Sequence, residues 1–361
     1  MNAAPQARVA RPGETTSTPV DWELAASTAA RLVRPGPIIP RAEADVAVHR
    51  LRELAPEAEV HVRELTGLGH GLPLLPGEVV DRPAWARAAV QGLSALTDSA
   101  MPRANGPFGG VMASTAGVQA GIVLSFLSSR VLGQYDPFGA NSSGRDGAGR
   151  LLLVAPNIVG AQRALDVPAE DFSLWVCLHE CTHRLQFTGV PWLREYFASQ
   201  VADLLAAMDS SSGSITKLPE MVREFRKRIR DTEGPMGLIE LFQSADQKAA
   251  IDRLVALSTL LEGHADHVMD AVGPSVVPSV HTIRDRFTER RKGGGVLDRA
   301  LRTLLGVEAK VRQYAEGAAF TGHVVDAVGM ERFNVVWTSP ETLPTRAEIT
   351  DPAEWLRRVA P

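Results

Sequence analysis

Apolar positions along this chain recur mostly at a spacing of three and four, the signature of helices with one buried face. From Asp21, the stretch DWELAASTAARLV sets Leu24, Ala25, Ala29 and Leu32 on one side of a helix, and Pro35, Pro37 and Pro40 then stop it. A second helical stretch over about 41–65 carries Val46, Leu51, Leu54 and Val60, and Pro56 within it predicts a kink or a break into two pieces. A helix is expected at about 83–97. The run 109–127, GGVMASTAGVQAGIVLSFL, is nearly long enough to span a bilayer, but Gly, Ala, Ser, Thr and Gln supply more than half of it. Its small residues Gly110, Ser114, Gly117 and Gly121 predict instead a buried helix that neighbours approach closely.

After a Gly- and Ser-rich loop at 137–150, LLLVAPNI at 151–158 is the best strand candidate, its apolar run predicting burial or an edge position beside the site. Helices return at about 171–187, 193–209, 217–232, 246–271, 280–292 and 296–327, followed by caps and short turns to the end. The expected fold is therefore mainly α with a small β element. Residues 1–20, rich in Pro, Thr and Ala without a period, read as a disordered leader. Residues 21–361 read as a single domain, with 21–105 its N-terminal helical part.

Composition changes this picture little. Hydrophobic residues make up 45% and charged residues 22%, ordinary values for a globular chain, and aromatics at 6% favour helices packed through Ala, Val and Leu. The net charge of -4 gives no reason to expect a polyanion. Between Arg284 and Arg312 nine Lys or Arg face four Asp or Glu, but with Phe287 alone interleaved this reads as a solvated helix face. The expected partners thus include no nucleic acid and no membrane. Two cysteines exclude a disulfide framework, and no apolar signal segment opens the chain, so a cytoplasmic location is expected.

The chemistry concentrates in FSLWVCLHECTHRLQF, residues 172–187. On a helix, His179 and His183 are one turn apart and project from one face, so two neutral ring nitrogens can reach one ion at roughly 2.0–2.1 Å. Glu180, on the adjacent edge, is placed to act as a base on water without binding the metal itself. Cys177 and Cys181 fall on the far side of the helix and read as small core residues. Arg184 occupies a place normally held by an uncharged residue; it either points outward or pairs with a nearby acid.

A catalytic zinc needs a third side chain and one position left for water or substrate. The segment LLEGHADHVMD, residues 260–270, offers Glu262 as that ligand. Asp266, one turn on, matches the ExxxD arrangement in which the Asp steadies a ligand histidine. His264, nearly opposite Glu262 on the helix, is read as a supporting residue and kept as the alternative third ligand. His267 is off-axis, and His281 and His323 have no partner at ligand spacing. Residues 106–361 are thus the part expected to hold the metal site.

WVCLHECTHRLQF and LLEGHADHVMD, with VDWELA, VLGQYD, LLLVAPNIV, YAEGAAF and VWTSPETLPTRAEI, resemble an actinobacterial zincin-like family of zinc-dependent metallopeptidases, some of whose members are linked to deazaflavin coenzyme biosynthesis. The resemblance covers nearly the whole chain beyond residue 20 and implies a zincin-like helical fold with zinc held at His179, His183 and Glu262 beside Glu180. The resemblance supplies no substrate; the zinc-helix residues themselves point to hydrolysis of a peptide or small amide, with Tyr314, His264 or an Arg as candidate stabiliser of the developing oxyanion. A metal-stabilised zincin-like scaffold without turnover, or a binding protein associated with deazaflavin coenzyme metabolism, is the alternative.

Overall fold

The computed structural model describes residues 19–97, 109–139, 149–211, 245–292 and 307–359. The expected helix at 217–232, the start of the one at 296–327, most of the leader and the middle of the 137–150 loop lie outside the described residues.

Helix α1 (Trp22–Leu32) begins with the Asp21 side chain accepting from the Leu24 N–H at 2.9 Å. Helix α2 (Arg41–Thr66) runs through Pro56 without the expected break into two pieces. Proline removes one backbone hydrogen bond to the preceding turn. Here the carbonyl left without that donor belongs to Arg52, on the exposed side where water can meet it, while Leu51, Leu54, Ala55, Ala58 and Val62 hold the other face against the core.

Strand β1 (Glu78–Val80) leads into α3 (Arg82–Thr97), and α4 (Gly109–Ser128) into β2 (Gly133–Asp136) and β3 (Arg150–Val154). The sheet order is β1-β3-β2, with β1 parallel to β3 (Val79 opposite Leu153) and β2 antiparallel (Tyr135 opposite Leu151). The expected strand at 151–158 ends early. Val154 closes it and Ala155 opens α5 (Ala155–Leu165), where Pro156 supplies the fixed φ that suits a first turn. An unbroken apolar run is compatible with either state, and the sheet claims only the part that β1 and β2 can pair. β3 is the buried central strand, and β2 is an edge strand.

Helix α4 departs from the expected burial. Gly117 and Gly121 do permit close approach, since a Cβ there would lie 2.4 Å from the Asp21 carbonyl oxygen and 2.6 Å from that of Ala25 on α1. That is one face only: Val111 is 67% and Met112 61% exposed on the other. Among the described residues α4 is the one helix long and apolar enough to cross a membrane by length and composition.

Helix α6 (Ala169–Gly189) occupies the middle of the larger core, buried on nearly every side from Phe172 to Gln186. It packs against α2, α5, β2, β3 and α8 (Ala245–Ala271), while α7 (Leu193–Ser211) follows it after a short turn. Full burial of side chains such as Phe172, Leu178 and Leu185 contributes about 1.5–3 kcal/mol each. Helix α9 (Val280–Lys292) packs on α5 and α6, and α10 (Val307–Val328) crosses α8. At that crossing a Cβ on Gly263 would fall 2.0 Å from the Gly317 carbonyl carbon, so the two helices touch backbone to backbone beside Glu262. The chain closes with α11 (Met330–Phe333), a 3-10 turn at Asn334–Trp337 and helices α12 (Arg346–Thr350) and α13 (Pro352–Val359). The architecture is mainly helical with one small sheet, as expected.

Candidate metal centre

His179 and His183 project from α6 as one helical turn requires, their rings 4.7 Å apart and nearly perpendicular. Their Nε2 atoms are 3.2 Å from each other. Glu262, on α8, brings Oε2 to 3.4 Å from the first and 3.5 Å from the second. Three donors bound to one tetrahedral ion at roughly 2.0–2.1 Å must stand roughly 3.3–3.4 Å apart, which these separations match closely. Two imidazole nitrogens and one carboxylate oxygen are also the donor types zinc accepts in catalytic sites. Glu262 Oε2 is buried without a well-formed hydrogen bond, so a cation would give this oxygen the partner it lacks. Among the described residues this trio is the one group of His, Cys, Asp or Glu at ligand separation.

The electrostatics agree with a cation-binding cage. Burial alone would raise the Glu262 carboxyl, but the two imidazoles hold it well below the usual carboxylate range. Burial would likewise lower His183, yet the Glu262 carboxylate raises it to about 9. Proton and metal therefore compete for the same nitrogen.

Glu180 stands beside the trio and is almost wholly buried. Burial raises its carboxyl above the ordinary value, opposed by the two histidines and by a hydrogen bond from the Tyr135 backbone N–H. That N–H belongs to β2, so the sheet edge is turned toward the site. Gly133, also on β2, explains how the strand comes so near: a Cβ there would sit 2.6–2.8 Å from Glu180 Cγ, Cδ and Oε1. Nothing in residues 171–187 signals Gly133, because the contact joins separate elements.

One supporting residue, Asp266, is placed differently from expectation. Asp266 does not reach a ligand histidine; it faces α9, where Arg284 NH1 donates to its Oδ1 at 3.2 Å. The second nitrogen of His179 meets the Met269 sulfur instead, at 3.2 Å. Met269 is two turns after Glu262 on the same helix face, and it occupies the space the Asp was expected to fill. His264, the alternative third ligand, stays out of the cage. It is fully buried, stacked on Phe333 and tilted against Trp337, with Nδ1 3.0 Å from Gln186 Nε2. Burial lowers it to about 3, as expected of an imidazole enclosed by rings.

Gln186 is the residue that sequence reasoning passed over. Its Oε1 is 2.9 Å from His183 Nδ1 and its Nε2 donates to the Leu261 carbonyl at 2.9 Å. A buried amide at i+3 from a ligand is the local signal that could have found it. Cys177 and Cys181 are free, buried and turned away, as read. Arg184 pairs with an acid: its guanidinium is buried against Glu59 of α2 and donates to the Leu75 carbonyl at 2.7 Å. The side chain of Tyr314 lies outside the described residues. In the basic stretch, Arg284 is held by Asp266 and Asp270 and Arg286 donates to the Leu165 carbonyl; residues 293–306 lie outside the described residues.

The profile of the zincin-like metallopeptidase family matches residues 20–356. A crystal structure from Chloroflexus aurantiacus, described as that of a candidate hydrolase with a novel fold, is similar at 30% identity and a TM-score of 0.66. The match covers 94% of this chain and 98% of that one. Among curated proteins no match was found.

Proposed function

The chain belongs to the zincin-like metallopeptidase family, and on that premise we propose that it is a zinc-dependent peptidase in which His179, His183 and Glu262 hold the metal and Glu180 is the general base. The observation that carries this reading is the triangle of donor atoms, 3.2, 3.4 and 3.5 Å on its sides, with a buried carboxylate immediately beside it. A zinc ion held there supplies Lewis-acid polarisation of a carbonyl and makes water more acidic. The protein's own groups do the rest. Glu180, its carboxyl raised by burial, takes a proton from the attacking water and returns it to the leaving amine. The Tyr135 N–H and the bare backbone at Gly133 hold that carboxylate in place.

The substrate we propose is a peptide in extended form. The support for a peptide is the metallopeptidase family match, together with an edge strand, β2, that lies directly beside the proposed base. Placement in the actinobacterial branch, with its link to the deazaflavin coenzyme, is proposed on the resemblance of the quoted segments alone.

Elemental analysis of purified protein, paired with digestion of a peptide library, tests the reading. One zinc per chain is expected in the wild type, with loss of metal in His183→Ala and Glu262→Ala. Glu180→Gln is expected to keep the zinc and lose about 10²–10⁴-fold in turnover. Full activity in Glu180→Gln, or zinc retained by both ligand variants, rejects the assignment. A zinc-loaded wild type that cleaves nothing leaves a metal-stabilised scaffold instead.

A further inference from the structure

The amide of Gln186 has contacts on both of its ends, and together they leave a single consistent assignment. Its neighbours are His183 Nδ1 at 2.9 Å, the Leu261 carbonyl oxygen at 2.9 Å and His264 Nδ1 at 3.0 Å. A carbonyl oxygen only accepts, so the end facing Leu261 must be the NH2 group. The other end is then the amide oxygen, which only accepts, so His183 must present Nδ1–H to it. The second hydrogen of the NH2 group points to His264, whose Nδ1 must accept and whose proton must reside on Nε2. Two histidine tautomers are thereby fixed by one carbonyl.

We infer that Gln186 is the positioning residue of the metal centre: it holds His183 with the Nε2 lone pair turned to the metal and ties α6 to α8 one residue before Glu262. This rests on the reading of His183 and Glu262 as ligands. The amide spans the two helices that carry the cage, so the bond that orients one ligand also sets the distance to the other. Its own freedom is removed by burial, since Gln186 is fully enclosed. His264 backs it: the ring lies 5.4 Å from those of Phe333 and Trp337 and cannot withdraw from the amide. With Nδ1 accepting, the proton of His264 resides on Nε2, which has no hydrogen-bond partner among the described residues. The C-terminal turn thus buttresses His264, His264 buttresses Gln186, and Gln186 aims His183. Outer groups of this kind govern metal affinity through ligand orientation and basicity.

The test has two arms. Zinc affinity of folded Gln186→Met, measured by competition with a chromogenic chelator, is expected to fall about 10–100-fold, and the visible spectrum of the cobalt-substituted protein to change. A residue needed only for packing would lower the melting temperature and move neither. In the second arm, long-range 1H–15N spectra of histidine-labelled wild-type protein are expected to show His264 as the Nε2–H tautomer with or without zinc, and His183 as Nδ1–H once zinc is bound. An affinity within threefold of wild type in folded Gln186→Met, or His264 carrying its proton on Nδ1, overturns the inference. The His264 signal decides the matter even where the variant fails to fold. A wild type that binds no zinc at all would instead sink the peptidase reading, an outcome the His264 tautomer does not depend on.

Discussion

Glu59 shows what a single buried charge demands of its surroundings. It is 2% exposed at its side chain and lies between two guanidinium groups, Arg184 of the metal helix and Arg63 of its own helix. Arg63 extends the network by donating to the Leu72 carbonyl, and Arg184 to that of Leu75. Removing the shared carboxylate leaves both cations without their counter-ion, which costs more than the pair contributes when intact. Glu59→Leu is expected to destabilise the protein by about 3–5 kcal/mol, read as a lower midpoint in urea. An unchanged midpoint would mean the charges are solvated. Glu348 is a second buried carboxylate, held by close donors from the backbone and from one arginine. It accepts from the Thr345 N–H at 2.8 Å and from Arg358 at 2.6 and 2.9 Å. Burial alone would raise its carboxyl, but these donors hold it below the usual value. A depressed folded pKa contributes stability above the unfolded value of about 4.3, and that stability is lost as pH falls through the folded value. Glu348→Gln should therefore cost about 1 kcal/mol at pH 7, and the gap to wild type should close on acidification. A gap independent of pH would remove the charge from the account.

At the scale of elements, the site depends on how closely β2 and α6 meet. The separation is set by Gly133, where even a methyl group would overlap the Glu180 side chain. Gly133→Ala must push that carboxylate aside while leaving the donor triangle between α6 and α8 untouched. The expected result is zinc content equal to wild type with turnover reduced by about 10²-fold, since a displacement near 1 Å at a catalytic group has that effect. Loss of zinc in this variant would show that β2 also shapes the cage. The helices obey a parallel rule. α8 and α10 touch at Gly263 and Gly317, adjacent to Glu262, so the third ligand rides on a helix whose position is fixed by backbone contact. How much of this was legible in sequence depends on range. The helix at 169–189 and its i, i+4 histidines follow from local periodicity. The strands β1 and β2 are three and four residues long, too short for a period to show, and they exist because β3 pairs with them. Asp266 illustrates the same limit: its spacing from Glu262 is local, but its partner is chosen by Arg284 on another helix.

For the whole molecule, the proposed metal cross-links α6 to α8, two elements far apart in the chain. A ligand bound by the folded state and not by the unfolded one stabilises it by mass action, about 2.7 kcal/mol at a free concentration 100 times Kd. Chelation with EDTA is expected to lower the melting temperature of the wild type, and added zinc to restore it. The same treatment should leave His183→Ala unmoved. Equal melting with and without chelator would show that the cage forms no such link.

What the sequence determined by itself is the part governed by the geometry of one helix. A 3.6-residue turn places His179, Glu180 and His183 together whatever surrounds them, and the 260–270 segment carries its carboxylate on an apolar helix for the same reason. Tertiary structure alone decided which distant groups share that space: Glu262 rather than His264 against the two rings, Met269 in place of Asp266 behind His179, Gly133 beside the base and Gln186 between the helices. It also left α4 with an exposed apolar face that its composition had suggested was buried. The reason is physical. Side-chain direction within a helix follows from local torsions, whereas contact between elements follows from how closely whole surfaces can pack, and spacing along the chain carries no measure of that.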